Sequence, residues 1–412
     1  MRSVLLALSA LLVASCSHPG GVSPLLPASQ ADVGRTPAAG AYQLIYGFSG
    51  KPDDGANPSG ALVPRDGTFY GTTQAGGENN DGTVFAISAS GKESLLYSFG
   101  SSATDGTIPQ SGLTFAGGAF YGTASYGGAN CAPGGCGAVY KITPSGSETV
   151  IYSFSGGTDG SHPIAGLLDV GGTLYGTTSE GGNGHACCGT LFAVSTSGKE
   201  RVLYRFKGTE HDGAEPVGGL VAIGSEFYGA TEYGGAHHFG TIFAASTSGS
   251  ERVLYNFKGL PSDGAQPVDT LTVDDGRLYG TTSFGGSSKK CPPVGCGTVF
   301  EATTAGEEKV LYDFKGGSGG YDPVASVVAL DGALYGTTFS GGSLGCSGGI
   351  GCGIIFKVTS TGGSVLYDFR GGKRSGAYPY YGSLIAVNGT LYGTTFGGGA
   401  SDWGSFFKFQ PQ

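Results

Sequence analysis

A five-residue block, Leu/Phe-Tyr-Gly-Thr/Ala-Thr/Ala, occurs seven times in this chain, starting at Phe69, Phe120, Leu174, Phe227, Leu278, Leu334 and Leu391. The interval is roughly fifty residues, which is the sequence signature of a solenoid, a propeller or an array. The 412 residues could otherwise form two or three ordinary domains; the repeat argues for one long repetitive domain. Glycine is 82 of 412 without any Gly-X-Y period, so a collagen-like chain is excluded. Tyrosine and phenylalanine recur at fixed places in the repeat, so a packed core is available.

Each unit reads as four strands, and the third unit shows them best. Gly166-Leu-Leu-Asp-Val170 is a short apolar strand. A Gly-Gly turn leads to Thr173-Leu-Tyr-Gly-Thr-Thr178, and a glycine-rich loop leads on to Gly189-Thr-Leu-Phe-Ala-Val194. A Ser-Thr-Ser-Gly turn then leads to Glu200-Arg-Val-Leu-Tyr-Arg-Phe206. Short β-branched and aromatic runs bounded by Gly, Asp and Ser are strand-and-hairpin signals. The repetitive part opens on a lone fourth strand, Tyr42-Gln-Leu-Ile-Tyr-Gly-Phe48, and closes on the third strand of the last unit, Gly404-Ser-Phe-Phe-Lys-Phe409. The strand missing at one end is the surplus strand at the other. Pairing the two closes a ring and hides a sheet edge. The expected fold is therefore all-β: a seven-bladed propeller of four-stranded antiparallel blades over residues 41–412, with the N-terminal strand completing the last blade.

Residues 1–16 read as a processing signal. Arg2 precedes the apolar run Val4 to Ala14, which is too short to span a bilayer, and Val13-Ala14-Ser15-Cys16 resembles a bacterial lipobox. By that resemblance Cys16 carries lipid and becomes the mature N-terminus; the alternative is an ordinary secretory signal cleaved nearby. Residues 17–40, rich in Pro, Gly, Ala and Ser, read as a flexible tether. Membrane contact is expected through the lipid only. With 13% charged residues and a net charge of −9, the chain lacks the basic footprint of a nucleic-acid binder.

The Leu-Tyr-Gly-Thr-Thr, Gly-Thr-Val-Phe and Val-Leu-Tyr-x-Phe-x-Gly blocks, as at Leu278, Gly297 and Val310, resemble the GloVer tandem repeat of bacterial surface proteins with varied anchors. The resemblance covers residues from about 41 to 412. It implies a secreted or anchored propeller-like protein and supplies no catalytic residues.

Between the fourth strand of one unit and the first of the next lies Asp-Gly-x-x-Pro, at Asp54, Asp105, Asp159, Asp212 and Asp263. The structural reading gives Asp a bond to its own backbone two residues on and Gly a positive φ. The functional reading is a ring of carboxylates for cations. Units six and seven lose this Asp, which weakens a symmetric metal ring. The glycine of the Tyr-Gly-Thr block, Gly176 in unit three, is expected to permit close backbone approach.

Eight cysteines fall in the loops between second and third strands: Cys131/Cys136, Cys187/Cys188, Cys291/Cys296 and Cys346/Cys352. Every lengthened loop carries such a pair, which fits local disulfides in an oxidising compartment and fits paired zinc knuckles poorly. For Cys187-Cys188 a disulfide, free thiols and a metal ligand all stay open. Trp403 and Phe239 stand where other units place the second Cys; they cover loop bases or, for Trp403, stack a ligand.

Loop variety falls on one face of the ring, so a binding site is expected there, near the channel. His162, His185, His211, His237 and His238, with Glu180, Glu210, Asp212 and Glu232, lie in those loops. Such side chains in a cleft bind a divalent metal or run acid–base chemistry; otherwise they are ordinary polar loops. No cofactor fingerprint, Gly-x-Ser-x-Gly or His-Glu-x-x-His is present. Two functions follow. One is a lipid-anchored scaffold, periplasmic or on the cell surface, binding a glycan, peptide or protein. The other is a secreted polysaccharide hydrolase or lyase with acid–base residues on the loop face.

Overall fold

The computed structural model describes residues 41–411, apart from 51, 132–133, 183–186, 292, 343–344 and 347–348. The chain divides into two units, Met1–Thr36 and Pro37–Gln412, and every described residue belongs to the second. Cys16, the tether and His185 lie outside the described residues.

Seven four-stranded antiparallel sheets form the blades of a propeller. Blade 3 is built from Leu168–Val170, Thr173–Gly182, Cys188–Ser195 and Glu200–Arg205, paired in that order from the channel outward. Blade 7 draws on both ends of the chain. Ala41–Gly47 pairs antiparallel with Ser405–Gln410, placing Tyr42 opposite Phe409 and Gly47 opposite Ser405. The expected ring closure is therefore present. The innermost segments of the blades surround a central cavity of about 380 Å³.

The innermost strands are shorter than the sequence suggests: three residues in blades 2 to 7, as at Leu168–Val170. In blades 2, 4, 5 and 7 a two-residue pairing, as of Gly106–Thr107 with Tyr126–Gly127, precedes the left-handed residue and the proline, and the ladder resumes only at the three-residue strand. The outermost strand carries a bulge in every blade, between Leu191 and Phe192 of the partner strand in blade 3. One extra residue there re-aims the Tyr that follows it.

The core lies between blades. A phenylalanine just past each outermost strand is fully buried, as at Phe154, Phe206 and Phe257. Each packs on an aromatic residue of the next blade's third strand. Phe154 meets Phe192, Phe206 meets Phe243 and Phe257 meets Phe300, each with ring centroids 5.1 Å apart and steeply inclined. Such pairs contribute about 1 kcal/mol each beyond the area they bury. Repeated around the circle, they fasten blade to blade.

Two glycine roles differ from expectation. A Cβ at Gly176 would stand 2.7 Å from Phe192 Cζ and 2.8 Å from Leu167 Cδ2, so this glycine seats an aromatic side chain and not a backbone. In Asp-Gly-x-x-Pro the glycine carries the expected positive φ at Gly160, 96°, but not at Gly55, Gly106, Gly213 or Gly264; at Gly55 it falls two residues later, at Asn57 with φ 57°. A Cβ on Gly55 would lie 2.7 Å from Thr73 Oγ1 and 2.8 Å from Thr83 Oγ1, two hydroxyls bonded to each other at 2.7 Å. Steric room, not dihedral freedom, selects glycine here.

The aspartates also differ from expectation. Asp54 does not make a local turn bond two residues on. Its Oδ2 accepts from Tyr46 Oη at 2.8 Å and from the Ser49 N–H at 2.7 Å, reaching back to the preceding outermost strand. Tyr97–Asp105, Tyr152–Asp159, Tyr204–Asp212 and Tyr255–Asp263 repeat the phenol-to-carboxylate bond at 2.8 to 2.9 Å. These carboxylates are committed to tyrosines, and no group of three or more metal-ligating side chains occurs among the described residues.

Candidate functional site

The residue before the proline of each linking segment is the starting point: Asn57, Ile108, His162, Glu215, Gln266, Asp322 and Tyr378. All seven hold φ between 54° and 59°. Left-handed backbone costs a side-chain-bearing residue roughly 1–2 kcal/mol. Two hydrogen bonds hold it. The His162 N–H donates to Cys136 O of blade 2 at 2.9 Å, and its carbonyl accepts from the Ser179 N–H of its own blade at 3.1 Å. Glu215 is held likewise by Cys188 O and the Glu232 N–H, and Asp322 by Cys296 O and the Phe339 N–H. Two tiers of side chains are thus set around the loop-face mouth of the channel: the residue before the proline and the two residues after the Thr-Thr pair.

The chemistry of these tiers changes around the ring. In blade 3, His162 Nδ1 lies 3.2 Å from Glu180 Oε2, and its ring meets the Tyr126 ring edge-on at 4.7 Å. Glu215 lies near enough to Glu180 for the two charges to interact; burial first, and that neighbour second, raise its pKa above the usual carboxylate value. Burial pushes Glu232 up to about 7, with Glu215 and Asp322 adding repulsion against a bond from Tyr233. Burial also pushes Asp322 up to about 7, opposed by a hydrogen bond from Ser283. Glu232 belongs to blade 4 and Asp322 to blade 6, so their interaction spans the mouth.

Blades 6 and 7 close the arc with aromatic rings. Phe339 lies 5.4 Å from Tyr378 and 5.5 Å from Tyr380, which in turn lies 4.2 Å from Tyr381 and 5.6 Å from Phe396. All are half-buried. Glu232 and Asp322 act electrostatically on both Tyr380 and Tyr381, which places the carboxyls and the rings around one space.

The sequence profile of the Gloeobacter/Verrucomicrobia repeat matches residues 34–134 and 130–350, well over half of the chain. The chain belongs to the Gloeobacter/Verrucomicrobia repeat family. No curated protein matches it. Among solved structures it is similar to polysaccharide lyase Uly1, with 12% identity, 88% of this chain and 92% of that chain covered, and a TM-score of 0.48. An S. cerevisiae Dbp5 complex with Nup159, Gle1, IP6 and ADP matches with 10% identity, coverage of 92% and 97%, and a TM-score of 0.48. Puromycin hydrolase matches at 12% identity and a TM-score of 0.48, over 84% of this chain and 53% of that chain. Likeness at this level speaks to neither substrate nor activity.

In this member of the repeat family, then, the mouth gathers His162, Glu180 and Glu232 of the residues singled out from sequence. The others lie apart from it. His211 is exposed beside Glu210, 3.4 Å from it, and His237 and His238 are exposed in the adjoining loop of blade 4. Asp212 is occupied by Tyr204 and by the Lys207 N–H. Trp403 lies over Gly50, as Phe239 lies over Gly259. The disulfides Cys131–Cys136, Cys187–Cys188, Cys291–Cys296 and Cys346–Cys352 are formed. Several of their sulfurs face the matching loop glycines, Gly156, Gly208, Gly316 and Gly371. Disulfide, Phe and Trp are thus alternative covers for one backbone feature. Sequence reading missed Glu215, Asp322 and the aromatic row. The available signal was chemical variety at the position before an otherwise constant proline.

Proposed function

We propose that this protein binds a glycan across the loop-face mouth of its channel and holds it without turnover. The observation that carries this reading is the contiguous row of half-buried rings, Phe339, Tyr378, Tyr380 and Phe396, set beside the carboxyls of Glu232 and Asp322. Aromatic faces stack on the apolar faces of sugar rings, while carboxyls fix orientation through the sugar hydroxyls. The four disulfides favour an oxidising compartment. Lipid on Cys16 and a tether over residues 17–40 would then present the propeller on the periplasmic or outer side of the cell envelope.

One observation favours a second reading, a polysaccharide hydrolase or lyase. Glu232 and Asp322 both sit at about 7, where a carboxyl can donate or accept a proton near neutral pH. Incubating the purified protein with an oligosaccharide panel, measuring depletion and analysing products by mass spectrometry, separates the two. Retained oligosaccharide with no shorter products supports the binding reading. Products that disappear in Glu232→Gln establish the enzyme. Depletion of no glycan at all overturns both.

A further inference from the structure

We infer that the mouth selects a glycan bearing free ammonium groups, a de-N-acetylated hexosamine oligomer, over neutral or acidic glycans. The inference rests on the glycan reading above and adds the class of sugar.

The first ground is charge. The mouth tiers are the residue before each proline and the two residues after each Thr-Thr block or its equivalent. These positions contain Glu180, Glu215, Glu232 and Asp322, one histidine, His162, set against Glu180, and no Lys or Arg in any blade. An acidic glycan would meet uncompensated repulsion there, and a neutral one would leave the carboxyls without a counter-charge. The carboxyls already act on one another across the opening, from Glu180 through Glu215 and Glu232 to Asp322. A cation in that space relieves the repulsion.

The second ground is independent of charge. In four blades a buried threonine hydroxyl bonds the start of the next blade's innermost segment: Thr72 to Ser111 O, Thr123 to Ala165 O, Thr177 to Gly218 O and Thr281 to Ala325 O. The corresponding Thr337 of blade 6 and Thr394 of blade 7 are 1% and 2% exposed and neither Oγ1 has a partner, while blade 4 has Ala230 there. Blade 7 carries one extra residue at the place Thr337 faces. Six residues lead from Tyr378 to Leu384, where five lead from Ile108 to Leu113. The extra residue leaves Tyr381 at φ 50° in the channel wall and brings Tyr380 against Phe339. A left-handed tyrosine in the channel wall is a cost that packing does not explain, because the other six blades close without one. What the insertion supplies is aromatic surface facing the carboxyls. Aromatic faces combined with carboxylates recognise ammonium groups. A sugar fits this surface better than a peptide does, because innermost strands of three residues offer no edge long enough for an added strand.

Calorimetric titration at neutral pH with glucosamine hexamer, N-acetylglucosamine hexamer and a galacturonic acid oligomer tests this. The glucosamine hexamer is expected to bind at least about tenfold more tightly than the acetylated one, and the acidic oligomer not to bind. Raising salt should weaken only the glucosamine hexamer. The double variant Glu232→Gln/Asp322→Asn should lose the tenfold preference and keep its thermal midpoint, while Tyr380→Ala should weaken both hexosamines. Equal affinity for the two hexamers, or a salt-independent preference in the unaltered protein, overturns the ammonium inference and leaves the glycan reading intact. Binding of a lysine-rich peptide with no binding of any sugar overturns both.

Discussion

Five glutamates make the stability of this propeller depend on pH in an unusual direction. Glu93, Glu148, Glu200, Glu251 and Glu308 begin the outermost strands of blades 1 to 5. Each lies against the tyrosine and aspartate of the preceding junction, as Glu251 lies against Tyr204 and Asp212. Glu200 also feels Arg205, Glu251 Lys207 and Glu308 Lys258. Burial first, and the facing aspartate second, push all five from 4.5 up to about 7. The folded value lies above the unfolded one, so the folded protein holds protons that unfolding releases. The stabilisation is fully present below pH 4.5 and is lost as the pH rises to about 7. For a fully buried carboxyl this shift is worth about 3 kcal/mol. These glutamates are only half-buried, so screening reduces it to roughly 1 kcal/mol each, or about 5 kcal/mol for the five. Urea unfolding with disulfides intact, followed at several pH values, measures it. The expected result is a stability that falls by about that amount between pH 4.5 and 7.5. Replacing all five by glutamine should abolish most of the fall and raise stability at the higher pH. A stability that rises over this window, or an unchanged slope in the glutamine variant, would refute the reasoning.

Three further outcomes follow from the packing. Phe206→Ala empties the space against Phe243 and should cost about 3–5 kcal/mol, read as a lower thermal midpoint. Gly176→Ala drives a methyl into Phe192 and Leu167 and should cost about 1–3 kcal/mol by the same measurement. Replacing Cys131 and Cys136 by serine opens a short loop and should cost about 2 kcal/mol, without altering glycan retention at the distant side of the mouth.

The blade count and the ring closure were legible because each is written in contiguous residues: a five-residue block for the second strand, a surplus strand at one end and a deficit at the other. The Tyr–Asp–Glu junction was not legible in that way, because Tyr204, Asp212 and Glu251 come from three segments and two blades. Nor does periodicity distinguish a committed aspartate from a free one. Yet the repeats record the coupling among themselves. Where blade 6 replaces the aspartate by Gly319, the facing glutamate becomes Gly363, and a Cβ there would stand 2.5 Å from the Tyr312 ring. Where blade 7 replaces it by Ser375, the facing residue is Tyr42, stacked on Tyr367 at 4.1 Å and accepting from the Gly376 N–H. Both acids leave together. Their joint loss fits the charge coupling between them, since each aspartate raises the pKa of the glutamate that faces it.

The mouth obeys the opposite rule, and the contrast locates function. At the residue before each proline the backbone is nearly constant, φ 54° to 59° in all seven blades, while the side chain is different in every one. Structural positions in this chain repeat their chemistry: phenylalanine past each outermost strand, glycine under each third-strand aromatic. A position that repeats its strained backbone but never its side chain is held for what it presents to the channel. Sequence alone hides this, because the same seven residues read as noise in a turn until their shared dihedral is seen. The insertion in blade 7 belongs to the same class, since it holds Tyr381 at φ 50° and places Tyr380 and Tyr381 opposite Glu232 and Asp322. Departures from the repeat therefore concentrate on one arc of the mouth, and it is there that a ligand finds both charge and flat apolar surface.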